Sequence, residues 1–335
     1  MTEREKCQLG LLYDTTFPGR DEDNLRCLDL CHEFNQMKPS DLAGREAILR
    51  KILHRVGKNV RAEQNIYISF GYNIEAGDNL FINHNCVFLD PGKITFGDNV
   101  FIGPCCGFYT AHHPIDTDLR NQMLEYAFPI TVGSNVWFGG HCCVAPGVTI
   151  LPGTILRGRT HIGAGCEIGP NAMLTDCAVG EETTINASQL NDSTVGSHTT
   201  VGPFAYVRPH CSIGDHCRVG DFVEMKNSSI GDGTKISHLT YVGDSDVGER
   251  VNFGCGTVTT NYDGHKKFRC TIGDDVFIGC NTNLIAPVTL GDACYTAAGS
   301  TVTDDVPAGA LAIARTRQTN KEGWAARLRK SWGKK

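Results

Sequence analysis

The stretch VGSNVWFGGHCCVAPGVTILPGTILRGRTHIGAGCEIGPNAML, residues 132–174, decides the fold. Steps of six from Val132 land on Phe138, Val144, Ile150, Leu156, Ile162, Ile168 and Leu174, with glycine directly after Val132, Phe138, Ile162 and Ile168. A period of six with one inward apolar residue fits short flat strands joined by tight corners, because glycine and asparagine tolerate the positive φ that corners need. Three hexads close one triangular coil, and stacked coils pair in parallel around a central aliphatic column. Alternation alone would also suit a sandwich, but a sandwich has no reason to hold a strict period of six.

Outward from that stretch the same signal continues. Downstream, after five-residue steps at several corners, it resumes at Val195, Val201, Val207, Ile213, Val219, Met225, Ile230, Ile236, Val242, Val247 and Phe253, then from Ile272 through Ile278, Leu284, Leu290 and Thr296 to Val302. Upstream, Ala76, Ile82, Phe88, Phe96, Ile102 and Phe108 carry it back towards residue 65. On the order of 240 residues share one period, the mark of a repeat architecture. The predicted fold is mainly β, a parallel β-helix of hexapeptide repeats with an N-terminal helical region and a short C-terminal helix.

Three kinds of segment fall outside the repeat. Residues 1 to about 60 read as helical, and SDLAGREAILRKILHRVG offers Ser40 as N-cap with Leu42, Ile48, Leu49, Ile52 and Val56 near helical spacing. Two loops interrupt the coils, YTAHHPIDTDLRNQMLEYAFP (Tyr109 to Pro129) and TNYDGHKKFRC (Thr260 to Cys270). Insertions on a solenoid usually share a face and carry function. After Pro307 the chain is expected to leave the coils, and NKEGWAARLRKSWGKK reads as a basic helix bearing Lys321, Arg327, Arg329, Lys330, Lys334 and Lys335.

The chain has 335 residues and a net charge of -6, which gives no general basic footprint for nucleic acid. No apolar run approaches the roughly 18 residues of a membrane span. The opening MTEREKCQLG places charges where a signal peptide needs apolar residues, so a cytoplasmic location is expected. The 16 cysteines are scattered or adjacent, with no paired metal-ligand spacing, so they are expected to be reduced, core-filling thiols and no metal site is expected.

Particular motifs resemble known families. Residues 1 to about 150 are similar to the maltose/galactoside O-acetyltransferases through LYDTT, CHEFNQMKPSD, SFGYNIEAGDN, TAHHPID and FPITVGSNVWFGGHCCVAPGVTI. Residues from about 151 onward resemble the acetyltransferase domain of the bifunctional N-acetylglucosamine-1-phosphate uridylyltransferase/glucosamine-1-phosphate acetyltransferases. The motifs are GPFAYVRP, VGDFVEMK, SHLTYVGD, VNFGCGTVTTNYDG, IGCNTNLIAPVTLG, AAGSTVTDDVP and AIARTRQTNKEGW. Both resemblances imply a left-handed β-helix, a homotrimer and acetyl-CoA as co-substrate. The nucleotidyltransferase domain of the second family is absent from the sequence given, and the closing coils of the first give way to LPGTILRGRTHIGAGCEIGP. The hexad phase runs through Ile150 and Leu156 without a slip, which reads as an in-register hybrid, natural or engineered. The expected organisation is a helical cap over 1–64, two β-helical segments over 65–150 and 151–306, and a tail over 307–335.

Acetyl transfer needs a base, stabilisation of an oxyanion and positioning of two substrates. Histidine suits the base, since its ordinary pKa lies near working pH. The second resemblance makes His238 the base towards the amino group of glucosamine 1-phosphate. It assigns the sugar phosphate to Arg208, Lys226 and Lys267, sugar contacts to Tyr241 and Asn252, loop contacts to Asn261 and Tyr262, and the acetyl-CoA groove to Cys255, Cys280, Ala298 and Arg315. The first resemblance makes His113, which follows His112, the base towards a sugar hydroxyl. It places Asp14, Asn83 and Asp90 on the acceptor side and Trp137 near the cofactor. Three readings follow: N-acetylation of an amino sugar phosphate at His238, O-acetylation of maltose or a galactoside at His113, and an inert β-helical scaffold.

Overall fold

The computed structural model describes residues 1–332, so Lys334 and Lys335 of the basic tail lie outside the described residues. The hexads form three parallel sheets of 12, 14 and 13 short strands, the three faces of one solenoid. We call these the first, second and third face. Successive coils pair in register on all of them. Across the junction the pairing is unbroken: Cys143 stands against His161 on the first face, Thr149 against Glu167 on the second and Ile155 against Met173 on the third. Backbone N–H groups donate to carbonyls of neighbouring coils along the solenoid, so each coil is held mainly by its neighbours.

The inward positions form the core. Val132, Phe138, Val144, Ile150, Leu156, Ile162, Ile168 and Leu174 are all buried, and so are the upstream and downstream hexad residues, including the polar Thr296. Phe108 stacks on Phe88 at 5.2 Å and meets Phe96 and Phe138 edge-on at 5.3 and 5.1 Å, an aromatic plug in the N-terminal coils. Corners are lined with left-handed residues. Asn59, Asn79, Asn99 and Asn135 stack at one of them, each side-chain amide donating to the next at 2.8–2.9 Å. Gly220 answers a different demand, because a Cβ there would run into the Ser237 carbonyl of the next coil. The 16 cysteines are free, most are buried, and Cys86, Cys106 and Cys142 occupy equivalent places on successive coils.

Helices α1 (Glu3–Gln8), α2 (Arg20–Gln36) and α3 (Leu42–Ile52) precede the solenoid. Phe34 of α2 and Ile48, Leu49 and Ile52 of α3 cover the apolar end of the first coils. Two local expectations are corrected here. The cap of α3 is Asp41 rather than Ser40: its carboxylate accepts from Gly44 N at 3.0 Å, and the negative charge suits a helix N-terminus. Val56 is not on the helix, since Arg55–Val56 already pairs with Glu75–Ala76 as a solenoid strand.

The first loop makes a small sheet of its own. Ala111–His112 and Leu124–Ala127 flank the short helix α4 (Thr117–Asn121), and Leu124–Ala127 pairs antiparallel with both Ala111–His112 and Tyr13–Asp14. At the other end the chain does not leave the coils at Pro307. Leu311–Ala312 adds one more strand against Tyr295–Thr296 before the exposed helix α5 (Trp324–Trp332). Among the described residues no helix is long and apolar enough to cross a membrane.

Candidate functional site

His238 closes the strand Lys235–His238 on the second face, and the register sets it opposite Asp221 of the preceding coil. Asp221 Oδ1 lies 2.9 Å from His238 Nδ1. The hydrogen bond from His238 holds the Asp221 carboxyl below the usual carboxylate range. A carboxylate on Nδ1 selects the tautomer with the proton there, which leaves Nε2 as an acceptor pointing away from the pair. Thr240 Oγ1 donates to the His238 carbonyl at 2.7 Å and fixes the corner. Asp221 is a residue that the motif reading missed; its signal is its place one coil before His238.

The residues expected to line the acetyl-CoA groove fall on one line. From His238 the same corner position passes to Cys255, Cys280 and Ala298 on successive coils. Asn281 N donates to Cys255 O and Gly299 N to Cys280 O, both at 2.8 Å. The Arg315 side chain follows, within 3.7 Å of the site a Cβ on Gly299 would occupy. Cys280 is exposed.

Polar and charged groups gather on the third face. Glu224 and Tyr241 are register partners, as are Lys226 and Gly243, and Arg208 N donates to Met225 O. Arg208 Nη1 contacts Glu224 Oε1 at 2.9 Å and Lys226 Nζ stands 4.0 Å from Asp244 Oδ2. The nearby Lys267 is the main cause that pushes the Lys226 amine below its ordinary value, so the two cations share one neighbourhood. Asn261 is buried and donates to Asp244 Oδ2 at 2.5 Å, with Tyr241 Oη 3.4 Å away. Burial alone would raise the Asp244 carboxyl, yet hydrogen bonds from Asn227 and Asn261 and the Lys226 charge hold it low. Tyr262 is exposed and donates to Gly264 O at 2.8 Å. Asn252 lies apart from Tyr241, on the second face between Lys235 and Phe277.

The antiparallel sheet holds the other histidine. Glu125, 10 % exposed in its side chain, accepts from Tyr13 Oη at 2.5 Å and lies 3.6 Å from Arg20 Nη2 and 3.5 Å from His113 Nε2. His113 Nδ1 is 3.4 Å from Leu124 O. Both ring nitrogens of His113 therefore face oxygens, whereas His238 has one such partner. Asp14 and Asn83 are tied to nearby chain, through Thr16 and through His84 N respectively. Asp90 is wholly buried and accepts from Phe70 N and Gly71 N at 2.8 and 2.7 Å. Trp137 is exposed on the third face, with the Arg157 guanidinium, from beyond the junction, over one face of its ring at 5.1 Å.

Comparison with known proteins agrees with this division. The maltose acetyltransferase hexapeptide capping motif matches residues 6–57, and the bacterial transferase hexapeptide repeat matches 192–227 and 269–304. The bifunctional protein GlmU of Caldanaerobacter subterraneus is 55% identical over 206 residues, 62% of this chain and 45% of that protein. Its likeness falls on the C-terminal part. These are the repeats of the hexapeptide acetyltransferases. This chain spans about half the length of the curated relatives it matches. Among solved structures, a maltose O-acetyltransferase from Clostridium difficile 630 is 40% identical, covering 48% of this chain and 87% of that one, with a TM-score of 0.48. A galactoside acetyltransferase in complex with coenzyme A is 29% identical, covering 58% and 86%, with a TM-score of 0.45.

Proposed function

We propose that this chain N-acetylates glucosamine 1-phosphate with acetyl-CoA, as a cytoplasmic homotrimer supplying a cell-wall precursor. The observation that carries the reading is the His238–Asp221 pair, which leaves Nε2 free beside a line of small groove residues. Arg208, Lys226 and Lys267 supply positive charge for the sugar phosphate, a strong charge-assisted match to its oxygens. In the reaction His238 Nε2 takes a proton from the acceptor amine as its nitrogen attacks the thioester carbonyl carbon. The carbon–sulfur bond breaks as the tetrahedral adduct collapses, and the proton passes to the departing sulfur. The products are N-acetylglucosamine 1-phosphate and free coenzyme A. Asp221 stabilises the imidazolium formed between these steps.

A second reading is O-acetylation of maltose or a galactoside at His113, supported by the Tyr13–Glu125–His113 arrangement. Against it stands His113, both of whose ring nitrogens already face protein oxygens. Coenzyme A release with glucosamine 1-phosphate, glucosamine, maltose and a galactoside as parallel acceptors separates the readings. The proposal requires turnover with the amino sugar phosphate; turnover with the free sugars alone favours His113, and none at all leaves a scaffold.

A further inference from the structure

Asp244 follows the strand Tyr241–Gly243 at the corner of its coil and is 5 % exposed. Both of its carboxylate oxygens accept from side-chain amides. Asn227 Nδ2 donates to Oδ1 at 2.6 Å from the coil before, and Asn261 Nδ2 donates to Oδ2 at 2.5 Å from the coil after. Burial pushes this carboxyl up, but the two amides together with Lys226 and Lys267 hold it below the usual carboxylate range, so it is an anion at neutral pH.

This one residue ties both ends of the loop 260–270. Its carboxylate holds the Asn261 side chain at the start, and its carbonyl accepts from Cys270 N at the end, at 3.1 Å. Between them Phe268 N donates to Asn261 O at 2.9 Å, and Tyr262 and Lys267 form an antiparallel bridge. The place of Lys267 is therefore set from Asn261, and that of Asn261 from Asp244. The same carboxylate stands 4.0 Å from Lys226 Nζ. A negative charge there opposes an incoming phosphate by Coulomb's law, so charge alone gives no reason for a carboxylate among the cations. A clamp that needs two acceptor atoms does give one, because a carboxylate accepts at both ends.

On the reading that glucosamine 1-phosphate is the acceptor, we infer that Asp244 is a positioning residue, holding the loop 260–270 and Lys226 in the arrangement that receives the phosphate. Asp244→Asn leaves one acceptor atom where there were two and removes a negative charge beside Lys226. These two changes act in opposite directions on phosphate binding: release of the loop weakens it, loss of the negative charge strengthens it. Positioning predicts a KM for glucosamine 1-phosphate raised about tenfold, with KM for acetyl-CoA and turnover of unphosphorylated glucosamine little changed. It also predicts faster amide exchange at Phe268 and Cys270, measured without substrate, while Ile278 and Leu284 stay as slow as in wild type. A lower or unchanged KM, an equal loss with glucosamine, or unchanged exchange at Phe268 overturns it. Where wild type does not turn over glucosamine 1-phosphate, the proposed reaction fails and the exchange result alone decides whether Asp244 holds the loop. Should Asp244→Asn not fold, Asn227→Gly removes one clamping amide at a corner whose φ of 46° glycine accepts, and the same outcomes are read.

Discussion

Asp221 and His238 sit at the same register position on adjacent coils, carboxylate oxygen to Nδ1 at 2.9 Å, so stacking one coil on the next is itself what assembles the pair. Asp221→Asn keeps the shape but offers an uncharged partner to the imidazolium. We expect kcat with glucosamine 1-phosphate to fall about ten- to a thousandfold with KM little changed, somewhat less than the roughly hundred- to ten-thousandfold contribution of a general base itself. Steady-state kinetics check this, and an equal loss in His238→Ala and in the double variant marks the two residues as one unit.

The phosphate cations predict the opposite kinetic split. Lys226→Met should raise KM for glucosamine 1-phosphate by about ten- to a hundredfold, the scale of one charged hydrogen bond of roughly 1.5–3 kcal/mol, with a smaller effect on kcat. Unphosphorylated glucosamine should be nearly indifferent to the change. Equal loss with both acceptors would assign Lys226 to the fold.

Asp90 gives stability a pH dependence. Burial lifts its carboxyl to about 7 against an unfolded value near 3.8, and hydrogen bonds from Phe70 N and Gly71 N only partly oppose this. A group that holds its proton more tightly when folded contributes stability below the lower value and loses it as pH rises through the upper one. The free energy of unfolding is therefore expected to decline between about pH 4 and pH 7, by an amount on the order of a few kcal/mol, and the melting temperature with it. Asp90→Asn, measured across the same range, should flatten that decline.

Phe108 is the centre of the aromatic plug, touching Phe88, Phe96 and Phe138. Phe108→Ala should cost about 3–5 kcal/mol. Because coils depend mainly on their neighbours, amide exchange should quicken in the flanking coils and stay slow near Ile278 and Leu284.

The sequence displayed some of these relations and hid others for a physical reason. The column from Val132 to Leu174 was legible because each inward residue is chosen by its own hexad, without reference to distant chain. Continuous phase at Ile150 and Leu156 likewise announced the unbroken ladders across the junction. The Asp221–His238 pair was not visible in the motifs, since it depends on how many residues close a coil. The sheet that pairs Tyr13 with Glu125, and so sets Glu125 beside His113, has no period and joins segments more than a hundred residues apart. Asp41 displaced Ser40 as a cap on geometry that spacing alone does not fix. Asp90 matched an acceptor-side position by motif, while its environment is the interior.

The most direct test is release of coenzyme A thiol from acetyl-CoA with glucosamine 1-phosphate, on wild type, His238→Ala and His113→Ala, with a blank lacking acetyl-CoA to subtract the protein's own cysteines. The account predicts turnover in wild type and His113→Ala and its loss in His238→Ala. Turnover that survives in His238→Ala, or that is lost only in His113→Ala, would contradict it.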